Sequence, residues 1–417
     1  MRWVTPAEIV ERLAGATAVA SPGCGEPSTL LALIGEHADR LPGLRLYSGL
    51  LLGDYPFLDA VESGQIAYGT WHVMPAVREL VEAGTVPFYP VRASRVPWLL
   101  GALEMDTALI RVSPPDRHGF CSLGASVSYP RTAVELATTV IAEIDEAVPR
   151  TRGESEIHVD QIDLAIRSAR PLPEYRRAPS SEVSEQIARH LLALLPERPT
   201  IQIGIGAIPE AFVDLLLAEG VAGLRFAGMA TDGIADLFAA GLIDRGRGEY
   251  PPVMSAELMG TRTLMDFADD NPALGTYSTE RGITASTLWG MDRFVSINSA
   301  LAVDLTGQVS AEALGGKQVS GVGGSVDFFE SAMHSEGGVR VIALPASDVR
   351  RGVSKIVPEL GAGAQVSIPR HSVEWVVTEH GAVSLAALPL AERAEALLSI
   401  APPAADPVRP AREEEAS

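Results

Sequence analysis

The feature that most constrains the fold is that the chain repeats itself. In ATAVASPGCGEPSTLLALIGE a β-rich run meets a Gly-rich turn at Gly23 and Gly25, after which Pro27 and Ser28 open an apolar-periodic helix. The pattern recurs in TIQIGIGAIPEAFVDLLLAEG, where Gly204 and Gly206 make the turn and Pro209 opens the helix. Both are followed by a similar strand entry, Gly43-Leu44-Arg45-Leu46 and Gly223-Leu224-Arg225-Phe226. Further on, Asp116-x-x-Gly119-x-x-Ser122 answers Asp304-x-x-Gly307-x-x-Ser310. Three matches in one order, at nearly constant spacing, imply two halves built on one α/β plan. Strands alternating with helical runs imply mostly parallel sheets with helices on their faces. The polar stretch RPLPEYRRAPSSEVSE, near residues 170–185, is the expected seam. Ligands in such folds sit beyond the C-terminal ends of strands, so a cleft between the halves is the expected site.

Charge narrows the partners. The chain carries 53 acidic against 33 basic side chains, a net charge of -20, which repels phosphate backbones and anionic lipid. Nucleic acid and membrane are therefore not expected as partners. Among the basic residues only Lys317 and Lys355 are lysines. Two cysteines, Cys24 and Cys121, make no disulfide framework, and the N-terminus, with Glu8, Glu11 and Arg12, does not read as a signal peptide; a cytoplasmic location is expected.

The usual catalytic signatures are missing. Pro209 stands where a dinucleotide fingerprint needs its third glycine, and there is no GKS or GKT phosphate loop, no HExxH and no GxSxG. No metal is expected. The Gly204-Ile205-Gly206 turn offers backbone N–H groups at a helix N-terminus, suited to an anion or an oxyanion, although a GxG can equally be a plain tight turn. In SGVGGSVDFF, Gly321, Gly323 and Gly324 leave the backbone bare to a ligand, or form a bulge. Glu379 follows the β-branched run Val376-Val377-Thr378 and so sits at a strand end, where an acid can orient substrate or remain a solvated loop residue. His118 reads as a turn residue and Cys121 as a buried inert thiol.

These motifs, with SPPDRHGFCSLG, DNPALGTYS, INSALAVDLTGQVS, SKIVPEL and VVTEHG, occur in the order of the acetyl-CoA hydrolase/transferase family. The resemblance runs over nearly the whole chain and includes 4-hydroxybutyrate and butyrate:acetate CoA-transferases. It implies an α/β fold of two related CoA-transferase-like domains, mostly parallel sheets and an interdomain active-site cleft. The N-terminal domain is expected at 1–178 and the C-terminal domain at 183–402, and the proline-rich, then acidic stretch at 403–417 reads as a disordered, solvated tail. The resemblance also implies coenzyme A, as acyl-CoA, for a substrate, a small-molecule acceptor, and a homodimer or larger homo-oligomer. By the resemblance, Ile205, Gly206 and Gly323 stabilise the thioester oxyanion, while Asn298 and Glu379 line and orient the site. Gly204, Gly321, Gly324, Lys317 and Lys355 are the expected contacts to the CoA arm.

One departure is central. Transferases of the family use a glutamate that attacks the thioester and then carries CoA. In Phe226-Ala227-Gly228-Met229-Ala230-Thr231-Asp232-Gly233 the matching position is Gly228, which has no carboxylate. Ser325 and His380 also depart, where relatives often have Gln and Tyr. Glu257, in PPVMSAELMG, is a nearby acid that would have to be re-aimed. The expected chemistry is transfer of CoA or of the acyl group without a glutamyl-CoA intermediate, in a space left by the glutamate. The alternatives are a thioesterase and a non-catalytic acyl-CoA-binding protein, and Gly228→Glu is expected to create ping-pong exchange.

Overall fold

The computed structural model describes residues 1–53, 55–244, 250–348 and 351–403. Residues 404–417 of the expected tail lie outside that set. Strands such as Thr17–Ala20, Thr107–Val112 and Thr139–Ile144 are buried along their whole length, as strands covered by helices on both faces must be.

Two sheets result. The first has seven parallel strands in the order Arg2–Trp3, Leu164–Arg167, Thr139–Ile144, Thr107–Val112, Thr17–Ala20, Arg45–Ser48, Ala67–Thr70. The second begins with Gly381–Ser384, antiparallel to its neighbour. It continues in parallel through Trp375–Thr378, Val339–Ala343, Phe294–Ser299, Thr200–Ile203, Arg225–Ala230, Val253–Leu258 and Leu274–Thr276. From Leu164–Arg167 to Ala67–Thr70, and from Trp375–Thr378 to Val253–Leu258, the order along the chain is the same. In both sheets the strand before the Gly-rich turn lies in the middle, at the switch point where an open sheet binds ligands.

The repeated Asp motif has a structural cause. Asp116 Oδ1 accepts the N–H groups of His118 (2.8 Å) and Phe120 (2.9 Å), and Asp304 Oδ1 those of Thr306 (2.9 Å) and Gln308 (3.0 Å). Each loop then turns through a left-handed glycine, Gly119 at φ +87° and Gly307 at φ +94°. The motif shapes a turn in both halves.

The halves are also sewn together. Arg152–Gly153, from the N-terminal half, adds the last strand of the second sheet. Leu258 N–H donates to Ala125 O (2.7 Å) and Val127 N–H to Ala256 O (3.2 Å). In the first half Arg111 is wholly buried and paired with Asp145 and Glu143. No helix among the described residues is long and apolar enough to cross a membrane.

Candidate active site

The central strand Thr200–Ile203 runs into the Gly204–Gly206 turn, and Gly206, at φ +119°, caps helix Ala207–Ala218. A Cβ added at Gly204 or Gly206 would meet nothing within 4 Å, so the space over this turn is open. The helix starts at this turn, and the Gly206 N–H is engaged by the Tyr175 hydroxyl.

On the next strand Gly228 has φ +96° and stands at a bulge, where Gly228 pairs with Ser255 and Met229 with Glu257. A Cβ there would lie 2.8 Å from Phe328 Cζ and 3.2 Å from Gln202 Cγ. The space expected to be vacant beside Gly228 is filled by that ring and that amide. Gln202 Oε1 accepts from Ser296 Oγ (2.6 Å) and Asn298 Nδ2 (3.1 Å), so Asn298 is tied into a polar cluster beside Gly228. Gln202 and Ser296 are buried. Their only trace in the sequence is a polar residue inside each of the apolar runs TIQI and FVSIN.

The SGVGG loop closes the same region from the other side. A Cβ at Gly321 would collide with Trp71 O at 2.5 Å and approach His72 Nδ1 at 2.9 Å, so that position needs glycine. Burial pushes the His72 imidazole down to about 4, leaving it neutral. Gly323 O accepts Ala93 N–H (2.9 Å), and a Cβ at Gly324 would touch the Phe328 ring at 2.8 Å. Behind the loop, Asp327 accepts Ser94 N–H (3.2 Å) and Oγ–H (2.6 Å), and Arg92 pairs with Glu330 at 2.9 Å. These contacts pin the start of helix Ser325–His334 to the N-terminal half.

Gly228 and Gly324 thus converge on Phe328, and Gly228 and Asn298 on Gln202, with Ile205 and Gly206 in the turn that follows the strand between them and Gly323 next to Gly324 in the loop. Glu379 lies toward the edge of the sheet. Its strand lies two places beyond that of Asn298, roughly 10 Å away at ordinary strand spacing. Glu379 Oε2 accepts Ala346 N–H (2.8 Å), and His380 Nε2 is 3.8 Å from its other oxygen. Lys355 shares that corner: burial lowers its pKa, while Asp348 and Glu379 raise it. Lys317 is elsewhere, exposed and paired with Glu82 at 2.9 Å. The two lysines do not form one phosphate site.

Glu257 occupies the line where the two sheets' C-terminal edges meet. Its Oε1 accepts from Ser126 Oγ (2.9 Å) and from Ser128 Oγ, both in the N-terminal half, while the enclosed Oε2 has no partner. Burial pushes its carboxyl up to about 8, against the two hydroxyls. Beside it Cys24 is buried, its thiol pushed up to about 11, and Cys121 is likewise raised to about 11; neither is poised as a thiolate. His118 is exposed in its turn. An open cavity of about 530 Å³ lies elsewhere, between Phe120, Arg131 and Ser278. Glu135, Glu154, Glu156 and Glu280 line it, a poor setting for a phosphorylated ligand.

Comparison with known proteins agrees with this architecture. Residues 2–171 match the acetyl-CoA hydrolase/transferase N-terminal domain and residues 260–408 the corresponding C-terminal domain. The chain is 37% identical over 383 residues to the 4-hydroxybutyrate coenzyme A transferase of Clostridium kluyveri, covering 91% of this chain and 89% of that protein. It is 30% identical over 400 residues to the butyryl-CoA:acetate CoA-transferase of Anaerostipes caccae, covering 90% and 87%. The crystal structure of RipA from Yersinia pestis superposes with a TM-score of 0.88 at 28% identity, covering 96% of this chain and 94% of that one.

Proposed function

The chain belongs to the acetyl-CoA hydrolase/transferase family, and from that premise we propose that it passes the acyl group of a short acyl-CoA directly to an acceptor, without a glutamyl-CoA intermediate. The observation that carries this reading is Gly228. In the position that the family resemblance gives to the nucleophile, the chain has no carboxylate, a left-handed backbone, and the Phe328 ring where a side chain would start. The thioester carbonyl would lie against the open Gly204–Gly206 turn and the bare Gly323 backbone, whose N–H groups take up the developing charge. An acceptor then attacks the carbonyl carbon and the C–S bond breaks toward sulfur. With water as the acceptor the same site is a thioesterase.

A second reading is CoA transfer, which the relatives' activities favour. It needs a carboxylate nucleophile, and Glu257 is the nearby half-buried acid. Release of free CoA from acetyl-, butyryl- or 4-hydroxybutyryl-CoA, with carboxylate, amine and alcohol acceptors or water alone, tests the proposal. Acceptor-dependent release is expected. Binding without release under every condition would make the protein an acyl-CoA binder.

A further inference from the structure

We infer that Glu257 is the acid–base residue of the acyl transfer, an inference that rests on the direct-transfer reading above. Three observations carry it. First, Glu257 is the penultimate residue of the strand next to that of Gly228 and pairs with Met229, so its backbone stands one strand spacing, about 5 Å, from the strand where a nucleophile is missing. Second, Ser126 and Ser128 both donate to Oε1, which makes Oε1 the acceptor oxygen and leaves Oε2 to carry the proton. Third, Oε2 is enclosed yet has no partner, a state that normally costs stability and calls for an explanation. One wall of that oxygen is the bare Cα of Gly23, where a Cβ would lie 3.8 Å away. The side chain as a whole stays partly accessible.

The proton balance is simple. The ionised Glu257 takes the proton of the acceptor X–H as X bonds to the thioester carbonyl carbon. On collapse the C–S bond breaks with its electron pair passing to sulfur, and Glu257 returns the same proton to give the CoA thiol. No other reagent is consumed.

Cys24, on the Gly23–Gly25 turn, and Tyr129, on helix Ser128–Leu136, are both raised by burial and stay neutral through this range. Glu26, behind the same turn, is raised by burial and held by the N–H groups of Leu52 and Gly53, so a variant rather than an inflection alone must assign the step.

The test is kcat/KM against pH for the wild type, Glu257→Gln and Glu257→Asp, with acyl-CoA affinity measured by calorimetry. In the wild type the rate should rise about tenfold per pH unit and level off near 8. Glu257→Gln, which keeps an oxygen for the two serines, should lose about 10²-fold or more in kcat and the pH dependence, with unchanged affinity; Asp should recover part of the rate. A Gln variant with wild-type kcat and pH profile overturns the inference while leaving direct transfer intact. A wild type without turnover overturns both. Should the Gln variant not fold, Ser128→Ala removes a donor that lowers the Glu257 pKa, so the inflection should move upward; an unmoved profile overturns the inference.

Discussion

At Gly228 the backbone and its surroundings agree: φ +96° and the Phe328 ring at 2.8 Å leave no place for a side chain to begin. Gly228→Glu is therefore expected to lose about 1–3 kcal/mol of stability and to gain no CoA exchange. That differs from the expectation drawn from the sequence, which could not show the ring, because Phe328 is 100 positions away. Exchange appearing in Gly228→Glu/Phe328→Ala but not in the single variant would identify the ring as the obstruction, whereas exchange in the single variant would contradict the packing argument. Glu257 gives a second residue-scale prediction. Burial pushes its folded pKa up to about 8, above the ordinary range of a glutamate carboxyl, so the native state binds the extra proton between those limits and stability falls as pH rises through them. Thermal melts from pH 5 to 9 should show this decline, at most about 1.4 kcal/mol per pH unit, and Glu257→Gln should flatten it. Equal slopes in the two proteins would place the titration elsewhere.

Among the elements, the SGVGG loop and helix Ser325–His334 do most to join the site to the other half. Glycine density in the sequence marks the loop, but the individual reasons differ: Gly321 yields to the Trp71 carbonyl, Gly323 turns through φ +65°, and Gly324 yields to Phe328. Asp327, buried and accepting both the N–H and the hydroxyl of Ser94, holds the helix start in place. Asp327→Ala is expected to cost about 1–3 kcal/mol in thermal or urea unfolding and to raise KM for acyl-CoA as the loop loosens. A normal melt with a normal KM would show that the loop is held by its glycines alone. The strand plan was largely legible, because hydrophobic runs, Gly turns and helix starts are local signals. The Gln202–Ser296–Asn298 cluster and the Glu257–Ser126–Ser128 contact were not, since each joins residues about a hundred positions apart that look unremarkable in their own strands. Arg152–Gly153 escaped for another reason: a two-residue strand has no periodicity.

For the whole molecule, the repeat in the sequence became two sheets with one strand order, joined so that Glu257, at a C-terminal strand end of the second, meets the turn following Thr17–Ala20 in the first. The net charge of -20 sets a condition on any polyanionic substrate, which must be held locally. The lysines do not supply one joint site, since Lys317 is tied to Glu82 and Lys355 sits with Glu379. The central claim, acyl transfer with no CoA-bound enzyme, is tested most directly by intact-protein mass spectrometry during turnover of an acyl-CoA. Free CoA, acylated acceptor and a protein of unchanged mass are expected. A protein carrying CoA as a borohydride-sensitive thioester on a glutamate would contradict it.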